Sequence, residues 1–197
     1  MTHPLSVSWP PDAQGPADTE IIEASLDEPQ FFGELFRRHA TRVHAYVRRR
    51  LVDDSASDDI VAETFHIAFT RRGDFRRDGA SNAVPWLLGI ATNLIRNHRR
   101  AEVRKYKALA RSGVDAAHDS VADAATSKVQ AEVNHRRMAK ALARLSPDAR
   151  DALLLRAWEE LSYEEIATIL DKPVGTVATL IRRSRQKLRD ALDKETR

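Results

Sequence analysis

Residues 161–188, LSYEEIATILDKPVGTVATLIRRSRQKL, leave this chain few options. Ser162 is placed to cap a helix, and Glu165, three residues on, completes a capping box. Ile166, Ala167, Ile169 and Leu170 then supply one apolar face. Asp171-Lys172-Pro173 halts the helix, because proline donates no backbone hydrogen bond and clashes with the preceding turn. A second helix opens near Val174. It turns Val177, Leu180, Ile181 and Leu188 inward and presents Thr176, Thr179, Arg182, Arg183, Arg185 and Lys187 outward. Small Ala167 lets the two helices cross closely. Two short helices, a tight turn and a one-sided basic second helix make a helix-turn-helix, whose second helix enters the DNA major groove. A plain helical hairpin with a solvated basic face is the alternative, and the joint presence of cap, turn and basic face weighs against it.

The remaining length narrows the architecture. A chain of 197 residues has room for one or two domains, and 42% hydrophobic residues can fill their cores. With no cysteine it needs no disulfides, which is compatible with a reducing cytoplasm. Its apolar runs are too short to span a bilayer, and its N-terminus lacks a basic start followed by an apolar core, so no signal peptide is expected. The expected location is cytoplasmic. Charge is uneven. Residues 1–30 carry six acids and no lysine or arginine, whereas residues 31–110 carry 16 Lys and Arg against 9 Asp and Glu. A basic body behind an acidic tail suits a polyanionic partner.

Residues 1–25, with Pro4, Pro10, Pro11 and Pro16, show no sustained period and read as a disordered tail. Residues 26–110 read as a helical domain. Phe32, Leu35, Phe36, His39, Val43, Val47 and Leu51 recur at spacings of three and four, with Arg37, Arg38, Arg42, Arg48 and Arg49 opposite. Ser57, Asp58 and Asp59 open a second helix, where acids suit the helix dipole, and Ile60, Val61, Phe65, Ala68 and Phe69 form its buried side. Residues 71–84, RRGDFRRDGASNAV, form a loop. Pro85 fits the first turn of a third helix, which carries Trp86, Leu87, Ile90, Ala91, Leu94 and Ile95 inward and ends in Arg96, Arg99, Arg100, Arg104, Lys105 and Lys107. Residues 111–130, rich in Ala, Asp and Ser, are a linker. Residues 131–197 form a second helical domain: a helix over 131–145, a capped start at Ser146-Pro147-Asp148, then the helix-turn-helix. No strand-like alternation appears, so the fold class is all-α, with two small helical domains.

The patterns of hydrolases, phosphate-binding loops and zinc sites are missing. There is no cysteine, no glycine-rich phosphate loop and no HExxH. His39, His44, His66, His98, His118 and His135 are scattered without metal spacing, so no metal or cofactor is expected. Asp58, Asp59 and Glu63 are explained as helix-start acids that also offer a face to a basic partner. The cations at 71–77 and at the end of the third helix can neutralise phosphates. Phe75 and Trp86 are candidates for stacking on an unpaired base, with burial in the core as the competing role.

Motifs in both halves allow a family to be named. Asp58-Asp59-Ile60-Val61-Ala62-Glu63-Thr64-Phe65 resembles the acidic helix motif in region 2 of bacterial sigma factors of the extracytoplasmic-function (ECF) group. Trp86-Leu87-Leu88-Gly89-Ile90-Ala91-Thr92-Asn93-Leu94, followed by Arg99-Arg100, resembles the next helix of that region. Leu145-Ser146-Pro147, Leu161-Ser162-Tyr163-Glu164-Glu165-Ile166-Ala167 and Pro173-Val174-Gly175-Thr176-Val177 resemble region 4. Two departures leave the promoter sequence open. Ala178, Thr179 and Leu180 stand where the family often has a basic residue, then Ser and Arg, and Asn97 stands where it often has Asp.

The resemblance implies a non-enzymatic subunit that binds core RNA polymerase, with promoter DNA as duplex and as single strand, and with an anti-sigma factor as a further partner. It implies core-polymerase contacts around Asp58, Asp59, Ile60, Glu63, Thr64 and Phe65. It implies minus-10 contacts from Arg71, Arg72, Phe75, Arg76, Arg77, Asn82, Trp86, Asn93, Arg96 and Arg100. Minus-35 contacts fall to Thr176, Thr179, Arg182, Arg183 and Lys187. The linker, with Asp115, Asp119 and Asp123, would lie along the polymerase. The alternative function is a two-domain transcriptional regulator whose first domain senses a ligand or dimerises.

Overall fold

The computed structural model describes residues 15–51, 54–75, 82–111, 138 and 141–193. Among the described residues seven α-helices form: α1 (Asp18–Asp27), α2 (Phe32–Arg50), α3 (Ser57–Thr70), α4 (Val84–Arg111), α5 (Pro147–Trp158), α6 (Tyr163–Leu170) and α7 (Val174–Asp193). Single 3-10 turns at Pro29–Phe31, Asp54–Ala56 and Arg72–Asp74 precede α2 and α3 and follow α3. Among the described residues there is no strand, and no helix is long and apolar enough to cross a membrane. The chain divides into two compact units, Met1–Ile95 and Arg96–Arg197. The expected border at 110 coincides instead with the end of α4, and the unit border falls inside that helix.

The first unit begins with a departure from the sequence pattern. The tail expected to be disordered through residue 25 ends in α1, whose Ile21, Ile22 and Ser25 are buried. Asp18 and Glu20 sit in its first turn, where acids are favoured by the dipole, and Glu20 accepts the Ala17 N–H at 2.7 Å. α2 buries Phe32, Leu35, His39, Val43 and Val47 as its period requires. It also buries Tyr46 and Arg50, which its period had not assigned, and leaves Phe36 47% exposed, edge-on against Phe65 at 4.8 Å. The Tyr46 hydroxyl reaches Thr92 Oγ1 on α4 at 2.7 Å, so a polar bond ties the two helices through the core. Leu87, Leu88, Ala91 and Ile95 of α4 are fully buried.

In the second unit local signals decide the elements. The Ser146 side chain accepts the Ala149 N–H and Pro147 stands at the first helical position of α5. α5 buries Ala152, Leu153, Leu154 and Leu155. The capping box of α6 forms as expected, with Glu165 N–H to Ser162 Oγ at 3.1 Å and Ser162 N–H to Glu165 Oε2 at 2.7 Å. α6 ends at Asp171 in the left-handed conformation (φ 51°), where aspartate is better tolerated than most residues. Lys172 N–H then caps Ala167 O at 3.0 Å, and α7 starts behind Pro173. Most of the helix expected over 131–145, and the linker from 112 on, lie outside the described residues.

Candidate nucleic-acid interface

α7 packs through Val177, Ile181 and Ser184, which are buried. At about 100° per residue, Thr179 lies opposite that stripe, Thr176 and Arg183 lie to one side of it, and Arg182 lies to the other. Lys187 continues the Thr176–Arg183 side. Arg182, Arg183 and Lys187 are exposed and make no ion pair with the described residues. The Thr179 hydroxyl donates to Gly175 O at 2.9 Å. Cations therefore flank a strip of short polar side chains, the arrangement of a helix that reads base edges at its centre and phosphates at its margins. Gln186, not singled out in the sequence, shares the outer face and bonds Asp190 at 2.7 Å.

The described minus-10 candidates of the first unit separate into three groups. Phe75 and Trp86, half-buried, meet with ring centroids 5.1 Å apart. Base-stacking and packing thus compete at one aromatic pair. Arg71, Asn82 and Asn93 are exposed. Arg71 faces Asp74 at 3.4 Å, and Asn82 Oδ1 accepts the Val84 N–H at the start of α4. Arg72 belongs elsewhere. Its Nε donates to Ser25 O at 3.1 Å, its Nη1 donates to Phe69 O at 2.6 Å, and its guanidinium stands 4.1 Å over the Phe69 ring. It is committed to the protein rather than offered to phosphate. Arg76 and Arg77 lie outside the described residues.

Two further minus-10 candidates fall in the second unit. Arg100 is exposed. Arg96, expected to face DNA, is instead held by two carboxylates of α5, Asp148 at 2.8 Å and buried Asp151. Lys172 also approaches Asp148, at 3.2 Å.

The acidic patch of α3 needs a similar sorting. Asp58, Asp59 and Glu63 are exposed, with His44 Nε2 3.0 Å from Asp58 Oδ1. Ile60, Thr64 and Phe65, expected as partner contacts, are buried, and the Thr64 hydroxyl donates back to Ile60 O at 2.6 Å. They secure the helix; the three acids form its outer face. Among the described residues no group of three or more His, Asp or Glu is placed to hold a metal ion.

Besides the Tyr46–Thr92 link, the sequence pattern missed a second buried polar centre. Asp18, 3% exposed, accepts from His39 Nε2, from Arg38 Nη1 and from the Ala83 N–H, each at 2.8 Å. Burial pushes its carboxyl up. The bonds from His39 and Ala83, the His39 charge and the Arg38 bond outweigh that and hold it below its ordinary value. Asp18-Thr19-Glu20 ahead of Ile21-Ile22 was the available signal.

Two family models match. The one described as Sigma-70 region 2 matches residues 35–105, and the one described as Sigma-70, region 4 matches residues 135–188. The ECF RNA polymerase sigma-E factor of Salmonella typhimurium is 32% identical over 179 residues, covering 86% of this chain and 91% of that protein. The ECF RNA polymerase sigma factor BldN of Streptomyces coelicolor is 27% identical over 162 residues, 82% of this chain but only 60% of BldN. Among solved structures, the sigma factor RpoE in complex with the anti-sigma factor NepR from Bartonella quintana matches with a TM-score of 0.61 at 22% identity. It covers 82% of this chain and 96% of RpoE. That likeness concerns the fold.

Proposed function

The chain belongs to the ECF group of the sigma-70 family, RNA polymerase sigma factors that direct transcription initiation, and on that premise we propose a division of labour between its two units. The second unit reads the minus-35 element as duplex, with Thr176, Thr179 and Arg183 of α7 toward base edges and Arg182 and Lys187 toward phosphates. The observation that carries this is the outer strip of α7, where uncommitted cations flank small polar side chains. The first unit docks on core polymerase through the exposed acids Asp58, Asp59 and Glu63, and handles the minus-10 element through the 71–83 stretch. Phe75 and Asn82 there, with Trp86 and Asn93 of α4 beside them, meet unpaired bases, with Arg71, Arg76 and Arg77 near the backbone. Extruding a base costs a few kcal/mol, which stacking and phosphate contacts offset. Arg72 and Arg96 support the fold and leave DNA to the others.

An anti-sigma factor is the expected further partner, as the structurally similar RpoE was solved in complex with one. Pull-down of core RNA polymerase by the full-length protein, followed by transcription from a matched promoter, tests the whole reading. Tight polymerase binding and polymerase-dependent promoter opening are expected. Over residues 138–197, which hold the helix-turn-helix, 12 basic residues nearly balance 10 acidic ones, which limits phosphate binding by that segment in the free protein. Sequence-specific nanomolar binding of promoter duplex by the free protein at physiological salt would refute the division proposed.

A further inference from the structure

α1 touches both flanks of the 71–83 stretch. At its first turn, Asp18 Oδ2 accepts the Ala83 N–H at 2.8 Å, immediately before α4. Near its last turn, Ser25 O accepts from Arg72 Nε at 3.1 Å, in the 3-10 turn that follows α3. Leu26 Cδ2 lies 3.9 Å from where a Cβ on Gly73 would sit, so the same end of α1 lies close beside that turn. The two attachment points are seven residues apart on one helix, or about 10 Å along its axis. Both ends are secured. Asp18 is buried and held by His39 and Arg38 from α2, and Ser25 is buried with its hydroxyl on Ile22 O at 2.6 Å. Arg72 is clamped a second time by Phe69. α1 lies ahead of residue 35, outside the region 2 match.

We propose that α1 is a brace that sets the spacing and orientation of the two flanks of the minus-10 stretch, with Asp18 and Arg72 as positioning residues for the Phe75–Trp86 pair that follows them. The proposal rests on the assignment of the 71–83 stretch to the minus-10 element. The aromatic pair spans the same gap: Phe75 follows the flank held by Arg72, and Trp86 follows the flank held by Asp18. A shift of one flank therefore alters the pair that meets the unpaired base. Small displacements of positioning groups can cost about a hundredfold in the step they serve.

The test uses full-length protein assembled with core polymerase and a promoter substituted base by base through both elements. Asp18→Ala removes the acceptor for Ala83. Asp18→Asn gives up the charge but keeps an amide oxygen that accepts the same N–H. In Asp18→Ala, discrimination among minus-10 bases is expected to fall about tenfold, while the ranking of minus-35 substitutions and the affinity for core polymerase stay within about twofold. Asp18→Asn is expected to retain most of the minus-10 discrimination. Equal loss at both elements, or an Asp18→Asn protein as impaired as Asp18→Ala, overturns the brace. Paired Arg76→Ala and Arg77→Ala substitutions separate the premise from the proposal. If they leave minus-10 discrimination intact, the assignment of the stretch fails and takes the brace with it. If they reduce it while folded Asp18→Ala does not, the brace alone fails.

Discussion

Replacing Tyr46 by phenylalanine deletes one oxygen from the core of the first unit and leaves the packing volume in place. The tyrosine is fully buried, and its hydroxyl lies 2.7 Å from Thr92 Oγ1 and 2.8 Å from Arg50 Nη1. The direction of these bonds follows from proton supply. Thr92 has one hydroxyl proton and spends it on Leu88 O at 2.7 Å, so Tyr46 donates to Thr92 and accepts from Arg50. A chain of donors thus runs from a guanidinium on α2 to a carbonyl on α4. Phenylalanine breaks it at two points. The neutral bond contributes about 1 kcal/mol and the charged one about 1.5–3. Arg50 has other partners, which places the total near the lower end, about 2–3 kcal/mol. For a unit of this size each kcal/mol shifts Tm by about 4–8 °C, so the first unit should melt about 8–24 °C lower. Thermal melting, with hydrogen exchange on the α2 and α4 amides to assign the transition, measures it. Thr92→Val and the double variant complete a cycle in which the two losses should be strongly non-additive. A Tm drop under about 3 °C for Tyr46→Phe, or additive losses, would refute the relay.

Other expectations follow from the site. Arg183→Ala should relax discrimination at one minus-35 position by about 1–3 kcal/mol, whereas Lys187→Ala should weaken all promoters alike and lower the salt slope by about one; transcription from a substituted promoter panel at several salt concentrations distinguishes them, and a uniform effect of Arg183→Ala would contradict the assigned reading face. Asp58→Arg should cost under about 1 kcal/mol of folding stability as a lost helix-start term but several times that in polymerase binding, seen by comparing melting with holoenzyme assembly; a variant that melts early and binds polymerase normally once refolded would leave only the helix-start role. The depressed Asp18 carboxyl gives a signed pH dependence. Its stabilisation is fully present above the ordinary carboxylate value, about 3.9, and is lost as pH falls through the lower folded value. Acid unfolding of the first unit should therefore steepen below about pH 4, and Asp18→Asn should flatten that limb in a pH-resolved melt.

The helix-turn-helix was legible because every signal for it is local. The Ser162–Glu165 box, the Pro173 break and the Val177–Ile181 spacing all act within one or two turns, and each is realised. What the sequence hid is long-range pairing. Nothing near Arg72 marks Ser25 O as its partner 47 residues away, and nothing near Arg96 marks Asp151 at 55. Both arginines looked like their exposed neighbours Arg71 and Arg100. Tyr46 and Arg50 escaped because apolar periodicity ignores polar side chains that satisfy one another in a core. α1 escaped because the prolines before it dominate its window, while the carboxylate that anchors it finds three donors only in the folded unit. Ile60, Thr64 and Phe65 were assigned as contacts because they share a motif with Asp58 and Asp59, although helical period turns them inward.

The bond from the Thr179 hydroxyl to Gly175 O also bears on which bases α7 can prefer. A threonine whose only hydroxyl proton is held by its own helix has nothing left to donate. It presents a methyl group and oxygen lone pairs. In the major groove a methyl suits thymine, and an acceptor suits the amino groups of adenine and cytosine. Guanine, which shows two acceptors there, gains nothing from it. Thr179→Val keeps the methyl and removes the lone pairs, so it separates the two preferences, and a wild-type requirement for guanine opposite Thr179 would contradict both. If that strip faces base edges as proposed, guanine is left to Arg183, and the two side chains divide the base-pair alphabet between a donor and an acceptor one helical turn apart.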